Sequence, residues 1–99
     1  MATDTGNPDG TQPQTQALTV HRLKTWASYF SAVIDGSKPF EVRRDDRGFQ
    51  RGDRVRLVEV THPDDGLLPT GREAEYEITY VLTGGQFGIE PGHVVLGLR

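Results

Sequence analysis

The side chains able to do chemistry are concentrated in one stretch, GSKPFEVRRDDRGFQRGD, from Gly36 to Asp53. Lys38, Arg43, Arg44, Arg47 and Arg51 fall inside it, Arg54 follows directly, and Glu41, Asp45 and Asp46 are interleaved. Glu41 and Arg43 stand two apart in a segment that reads as a strand, so they share one face. That pair has two readings. One is a strand-face ion pair worth little. The other is an acid that bonds the Watson–Crick edge of a base, with an arginine beside it for phosphate or stacking. Lys38 comes just after a predicted helix end, where the dipole favours a cation. It is a solvated lysine there or, at a cleft mouth, a phosphate contact or desolvated base. Arg44, Arg47 and Arg51 are loop cations, and Asp46 is placed to hold Arg47 or Arg43.

Two aromatics complete the candidate set. Trp26 lies in the predicted first helical turn beside Lys24, within reach of a ligand. Phe49 sits in the polar loop, where it either stacks on a base or plugs the interior. His21, His62 and His93 show no metal-ligand spacing, so no metal is expected. There is no Ser-His-Asp signature, and Gly84-Gly85 is too short for a phosphate-binding glycine loop. No cofactor is implied.

The elements that must position these residues follow from periodicity. Leu18 to Leu23 reads as a strand. Thr25 stands before a helical pattern as an N-cap. Trp26, Tyr29, Phe30, Val33 and Ile34 form one apolar stripe on a helix over about 25–35, and Gly36 suits the left-handed position beyond its end. This stripe makes Tyr29 and Phe30 core residues. Phe40 to Arg44 is a strand with Phe40 and Val42 toward the core, and Glu41 and Arg43 away from it. Arg54 to Thr61 is a strand whose apolar phase changes between Leu57 and Val58, the mark of a bulge or of burial on both faces. His62 to Thr70 is turn-rich. Glu73 to Thr83 alternates strongly, with Tyr76, Ile78, Tyr80 and Leu82 on one face. His93 to Leu98 closes the series with Val94, Leu96 and Leu98 together. Five strands and one helix bury their apolar faces most economically as a small, partly closed barrel with the helix over one opening.

Composition bounds the rest. Ninety-nine residues make one domain. Residues 1–16 are polar with almost no apolar side chain and read as a disordered tail, leaving 17–99 as the domain. The chain has no cysteine, which excludes disulfides, zinc-thiolate sites and thiol nucleophiles. It has neither an apolar run of membrane-spanning length nor a signal-peptide pattern, so a cytoplasmic, membrane-free monomer is expected. Net charge is −3, but its distribution is uneven. Arg22 to Arg56 holds nine Lys or Arg against five acids, and the remainder holds two against nine. An acidic protein with one basic stretch can present that stretch to an anion.

The blocks HRLKTWASYFSAVIDGSKPFEVRRDDRGFQRGDRVRLVEV and TGREAEYEITYVLTGGQFGIEPGHVVLGL resemble a small bacterial and phage branch of the ASCH (activating signal cointegrator homology) family, within the PUA-like superfamily. The carrying motifs are LKTW with Tyr29-Phe30, G-x-K-x-x-E-x-R from Gly36 to Arg43, DR-x-F-x-x-GD from Asp46 to Asp53, and TGR with ITYVL and FG-x-x-x-GHVVL. The resemblance implies a PUA-like β-barrel with a cleft beneath the early helix that binds RNA or a modified base. It places Lys38, Glu41 and Arg43 on the cleft, with Lys24 and Trp26 nearby. Some members resemble amidohydrolases acting on acetylated cytidine nucleosides through a Lys, a Thr and a distant Glu, and others are linked to RNA cleavage. Lys38 matches that lysine. Glu41 stands where that threonine would be, Pro39 directly follows the lysine, and the inserted helix bearing the distant Glu has no counterpart.

The resulting expectation is an RNA- or nucleotide-binding domain. Lys24, Lys38, Arg43 and Arg47 are its cations, Glu41 its base-edge acceptor, and Trp26 or Phe49 its stacking ring. A hydrolase on RNA or modified nucleosides using Lys38 and Glu41 is the alternative. A protein-interaction module is the third reading.

Overall fold

Alternating burial along short strands sets the architecture. The computed structural model describes residues 18–61 and 66–99. The tail expected over residues 1–16 lies outside the described residues, as does His62. In chain order the elements are β1 (Val20–Trp26), α1 (Ala27–Ile34), β2 (Phe40–Arg44), β3 (Arg54–Thr61), β4 (Leu68–Thr83) and β5 (His93–Leu98). The protein is mainly β, with five strands in one sheet and one short helix. The spatial order is β1-β3-β4-β5-β2. β1 runs parallel to β3, and the other pairs are antiparallel.

The core is a cluster of Leu23, Phe30, Val33, Phe49, Val55, Leu57, Ile78, Val94, Leu96 and Leu98. β2, β3 and β5 have the bounds that periodicity predicts, and β5 buries Val94, Leu96 and Leu98 as expected. In β3 the phase change is real. The register with β4 shifts between Val58 and Val60, and Leu57 through Val60 are all buried. Such a bulge lets two successive residues point inward.

Four local expectations are corrected. β1 continues to Trp26 and passes into α1 without a loop. Thr25 is therefore a strand residue. Its hydroxyl is turned inward, where it receives Arg43 Nη2 at 3.2 Å, and the N-cap position falls to Trp26 with no side-chain cap. With only eight residues, α1 buries Phe30 and Val33 and leaves Trp26, Tyr29 and Ile34 exposed. β4 starts at Leu68 rather than Glu73, and its sixteen residues serve two partners. Its first part pairs with β3 and its last part with β5, with a register shift between Ile78 and Tyr80. That shift inverts the pleat, so Ile78 is buried while Tyr80 is exposed and Val81 packs on the core instead.

The fourth correction concerns β2. Its alternation is as expected but its faces are reversed. Glu41 is buried at 4% exposure, while Phe40 and Val42 are 40% and 49% exposed. The predicted barrel is also not closed. β1 and β2 are the two ends of the sheet order, and no backbone ladder joins them.

Two glycines are required by geometry. Gly36 lies just past α1 at φ 85°, where its N–H donates to Val33 O at 3.1 Å. This left-handed position ends the helix as the sequence indicates. Gly84 precedes the loop into β5. A Cβ there would overlap Glu90 O and lie 2.6 Å from His93 O, both backbone atoms. Gly84→Ala should therefore cost about 1–3 kcal/mol in urea unfolding, the usual range for overpacking. A stability equal to wild type would show that the β4–β5 loop yields freely.

Candidate functional site

The gap between the two sheet edges is a cleft. It encloses about 440 Å³ and is lined by Lys24, Thr25, Trp26, Tyr29, Glu41, Val42, Arg43, Arg44 and His93. A recess of about 240 Å³ adjoins it, bounded by Tyr29, Lys38, Glu41 and Val42. β1 and the start of α1 supply one wall, β2 the other, and the first residue of β5 the floor beside Arg44, with which it is paired.

Glu41 is the centre of this arrangement. A buried carboxylate must be paired or hydrogen-bonded. Its Oε2 takes Lys38 Nζ at 3.2 Å and its Oε1 takes Arg43 Nε at 3.2 Å. Each cation is anchored a second time. Lys38 Nζ donates to Phe40 O at 2.8 Å and lies 5.0 Å and 5.6 Å from the ring centres of Phe40 and Tyr29. Arg43 Nη2 crosses the gap to Lys24 O at 2.8 Å and Thr25 Oγ1 at 3.2 Å. One guanidinium thus holds the carboxylate on β2 and the edge of β1 together.

Lys38, Glu41 and Arg43 converge mainly on one another. The stacking candidates separate. Trp26 is half exposed at the cleft, and its ring lies 6.4 Å from that of Tyr29, only 15° from parallel. Tyr29, expected in the core, is 53% exposed. Phe49 is the opposite case. It is buried at 5% and meets His21 edge-to-face at 4.7 Å, so it plugs the interior and takes no part in the cleft. Arg47 is also withdrawn. Its Nη1 donates to Arg22 O at 2.7 Å and its Nε lies 3.7 Å from Asp46. It stitches the loop after β2 to the free edge of β1 and does not line the cleft.

Pairing also thins the basic stretch. Arg22 meets Glu73, and Arg54 and Arg56 both meet Glu75, whose carboxyl is held below its usual range by bonds from Arg56 and then Arg54. Among the described residues, Lys24, Arg44 and Arg51 have no carboxylate partner. Lys24 and Arg44 line the cleft.

Sequence reasoning missed Thr25, Tyr29, Val42, Arg44 and His93 as cleft residues. Tyr29 was within reach, because it stands three residues after Trp26 and so shares its helix face. His93 joins the cleft through strand pairing, which a single sequence does not display. Its Nδ1 is buried without a hydrogen bond, 3.6 Å from Glu90 Oε1. A second buried acid, Glu59, stands opposite Thr25 in the β1–β3 register but bonds Thr70 Oγ1 at 2.6 Å and Arg72 at 3.5 Å, outside the cleft.

Residues 20–98 match the family described as a domain of unknown function, DUF3850, and the chain belongs to that family. A stretch of 62 residues is 40% identical to the protein of Escherichia phage P2 described as "Uncharacterized 12.9 kDa protein in GpA 3'region". The alignment covers 63% of this chain and 53% of the phage protein, so the chain matches about half of that relative's length. No helix among the described residues is long and apolar enough to cross a membrane.

Arg47 and Phe49 should behave as structural residues. Arg47→Ala should cost about 1 kcal/mol of stability through the lost edge bond, and Phe49→Ala about 3–5 kcal/mol through the core cavity. Denaturant titration reads both. A thermally stable Phe49→Ala protein would overturn its place as the plug.

Proposed function

We propose that this is a PUA-like domain with an open barrel, and that the opening between β1 and β2 binds RNA or a nucleotide. The observation that carries this reading is the pairing of two features in one cleft. Lys24 and Arg44 have no carboxylate partner among the described residues, and Trp26 and Tyr29 beside them are exposed and nearly parallel. Free cations meet phosphate, and exposed rings stack on bases. Arg43 and Lys38 add positive potential only after Glu41 has taken its share. Their role is to hold the cleft open and shaped, with Lys38 at the rim of the inner recess. This fits a polyanion better than an acidic protein partner, because the aromatic pair offers a flat surface for a planar ring.

The hydrolase alternative would need Lys38 to take up a proton. Its Nζ is instead committed to two protein acceptors, Phe40 O at 2.8 Å and Glu41 Oε2 at 3.2 Å. Lys38 therefore acts as a fixed cation in this reading, and binding without turnover is the expected behaviour.

Titration of the protein with fluorescently labelled single-stranded RNA at several salt concentrations tests the proposal. Affinity should fall with rising salt, with a logarithmic slope of about −1.4 if Lys24 and Arg44 each meet one phosphate of a single strand. Lys24→Ala or Arg44→Ala should each weaken binding and reduce the slope by about 0.7. Absence of salt-sensitive binding at low ionic strength would sink the nucleic-acid reading. RNA cleavage or deacetylation of acetylcytidine that disappears in Lys38→Ala would replace it with the hydrolase.

A further inference from the structure

Strand pairing determines which backbone groups of β2 face the cleft. Leu98 N–H donates to Pro39 O at 3.0 Å, and Asp45 N–H donates to Gly92 O at 2.8 Å. Both bonds obey the register that sets Phe40 opposite Gly97 and Arg44 opposite His93. In an antiparallel ladder, residue pairs that exchange bonds alternate with pairs that do not. Glu41 and Arg43 therefore bond to β5, while the N–H and C=O groups of Phe40, Val42 and Arg44 point away from it, toward the gap. β1 shows the matching pattern. Thr19 O accepts from Arg54 on the β3 side, while Arg22 O and Lys24 O face the gap and accept from Arg47 and Arg43.

Most acceptors on these two edges are thus already filled. Phe40 O takes Lys38 Nζ at 2.8 Å, and Arg44 O takes Asp46 N–H at 3.0 Å. Val42 is the exception on β2. Both its N–H and its C=O lack a hydrogen-bond partner among the described residues, and it borders both the cleft and the inner recess. Beside it, Arg43 spends Nε and Nη2 on protein acceptors and leaves Nη1 with no acceptor among the described residues. Side-chain amides commonly read base edges, yet no Asn or Gln among the described residues lines the cleft.

We propose that the main chain of Val42 reads the ligand. Its N–H donates to, and its C=O accepts from, a planar group carrying an acceptor and a donor side by side, which is the cis-amide or amidine edge of a nucleobase. Tyr29 and Trp26 cover the face of that group, and Arg43 Nη1 supplies a second donor next to it. This inference rests on the nucleotide reading above and names what is recognised within it. A peptide strand added to β2 would need open acceptors at Phe40, Val42 and Arg44 in succession. Two of those three are closed, so the edge admits a partner one residue wide.

The test compares the four ribonucleoside 5′-monophosphates with ribose 5-phosphate, which carries the phosphate without the base. Val42→Pro removes the N–H at an edge position where no ladder bond is lost, and Val42→Ala keeps the main chain. Val42→Pro should bind at least one monophosphate about tenfold more weakly, the loss of one hydrogen bond. Val42→Ala, which trims the cleft-lining side chain but keeps the N–H, should bind that monophosphate about tenfold more tightly than Val42→Pro, and ribose 5-phosphate should not distinguish the two variants. Where Val42→Pro folds poorly, the wild-type protein answers by amide NMR. The Val42 resonance should move with a monophosphate and hold still with ribose 5-phosphate. Tight monophosphate binding by folded Val42→Pro, or an unmoved Val42 amide at saturation, overturns main-chain readout and leaves the nucleotide reading intact. Joint movement of the Phe40, Val42 and Arg44 amides with an extended peptide overturns it in favour of strand addition. Failure of RNA and every monophosphate to bind removes both proposals together.

Discussion

A carboxylate buried on an edge strand sets the terms for the rest of this structure. Glu41 sits at 4% exposure on a five-residue strand with a partner on only one side. An isolated charge in that position would cost several kcal/mol. It persists because two cations reach it from different directions, Lys38 from the turn after α1 and Arg43 from the same strand. Each cation then has bonds to spare, and those bonds define the cleft. Arg43 spends its second nitrogen on the facing edge of β1, and Lys38 spends its remaining reach on Phe40 O and two rings.

The sheet would otherwise end in two unprotected edges. Free edges invite pairing with other chains, and proteins blunt them with charge or cover them. Here arginine side chains occupy the carbonyls of Arg22 and Lys24 on β1, and a lysine and a loop amide occupy those of Phe40 and Arg44 on β2. The bond from Arg43 spans the gap between β1 and β2, so the sheet stays open without presenting a sticky edge. Edge protection and cleft formation are one arrangement of residues. This also explains why so much of the basic stretch from Gly36 to Asp53 is spent on contacts within the protein, leaving Lys24 and Arg44 as the cleft cations without a carboxylate partner among the described residues.

Local pattern made much of the fold legible. Alternation in Val94, Leu96 and Leu98, the phase change at Leu57–Val58 and the glycine at position 36 each correspond to one physical preference acting over a few residues. Where a second bulge intervened, at Ile78–Tyr80, the pattern misled. A bulge inserts one residue and flips every side chain beyond it, and Tyr80 looks no different in sequence from a core tyrosine. Helix length misled in the same way. Five apolar residues at helical spacing suggest one buried stripe, but two turns of helix on a small sheet cover only Phe30 and Val33, which leaves Trp26 and Tyr29 for the cleft.

By itself the sequence determined that Glu41 and Arg43 share a strand face, that Lys38 stands at a helix end, and that charge gathers where a helix meets a strand. These follow from chain geometry over a handful of residues. Tertiary structure decided which face of β2 is buried. A charged pair on a strand reads as solvent-facing until something supplies its partners, and Lys38, Lys24 O and Thr25 Oγ1 come together only when the sheet is assembled. Assembly likewise sent Phe49 inward and Arg47 to the edge of β1. The pairing parity that leaves the Val42 main chain open depends on which strand lies beside β2, and the order β1-β3-β4-β5-β2 arises from contacts between residues tens of positions apart.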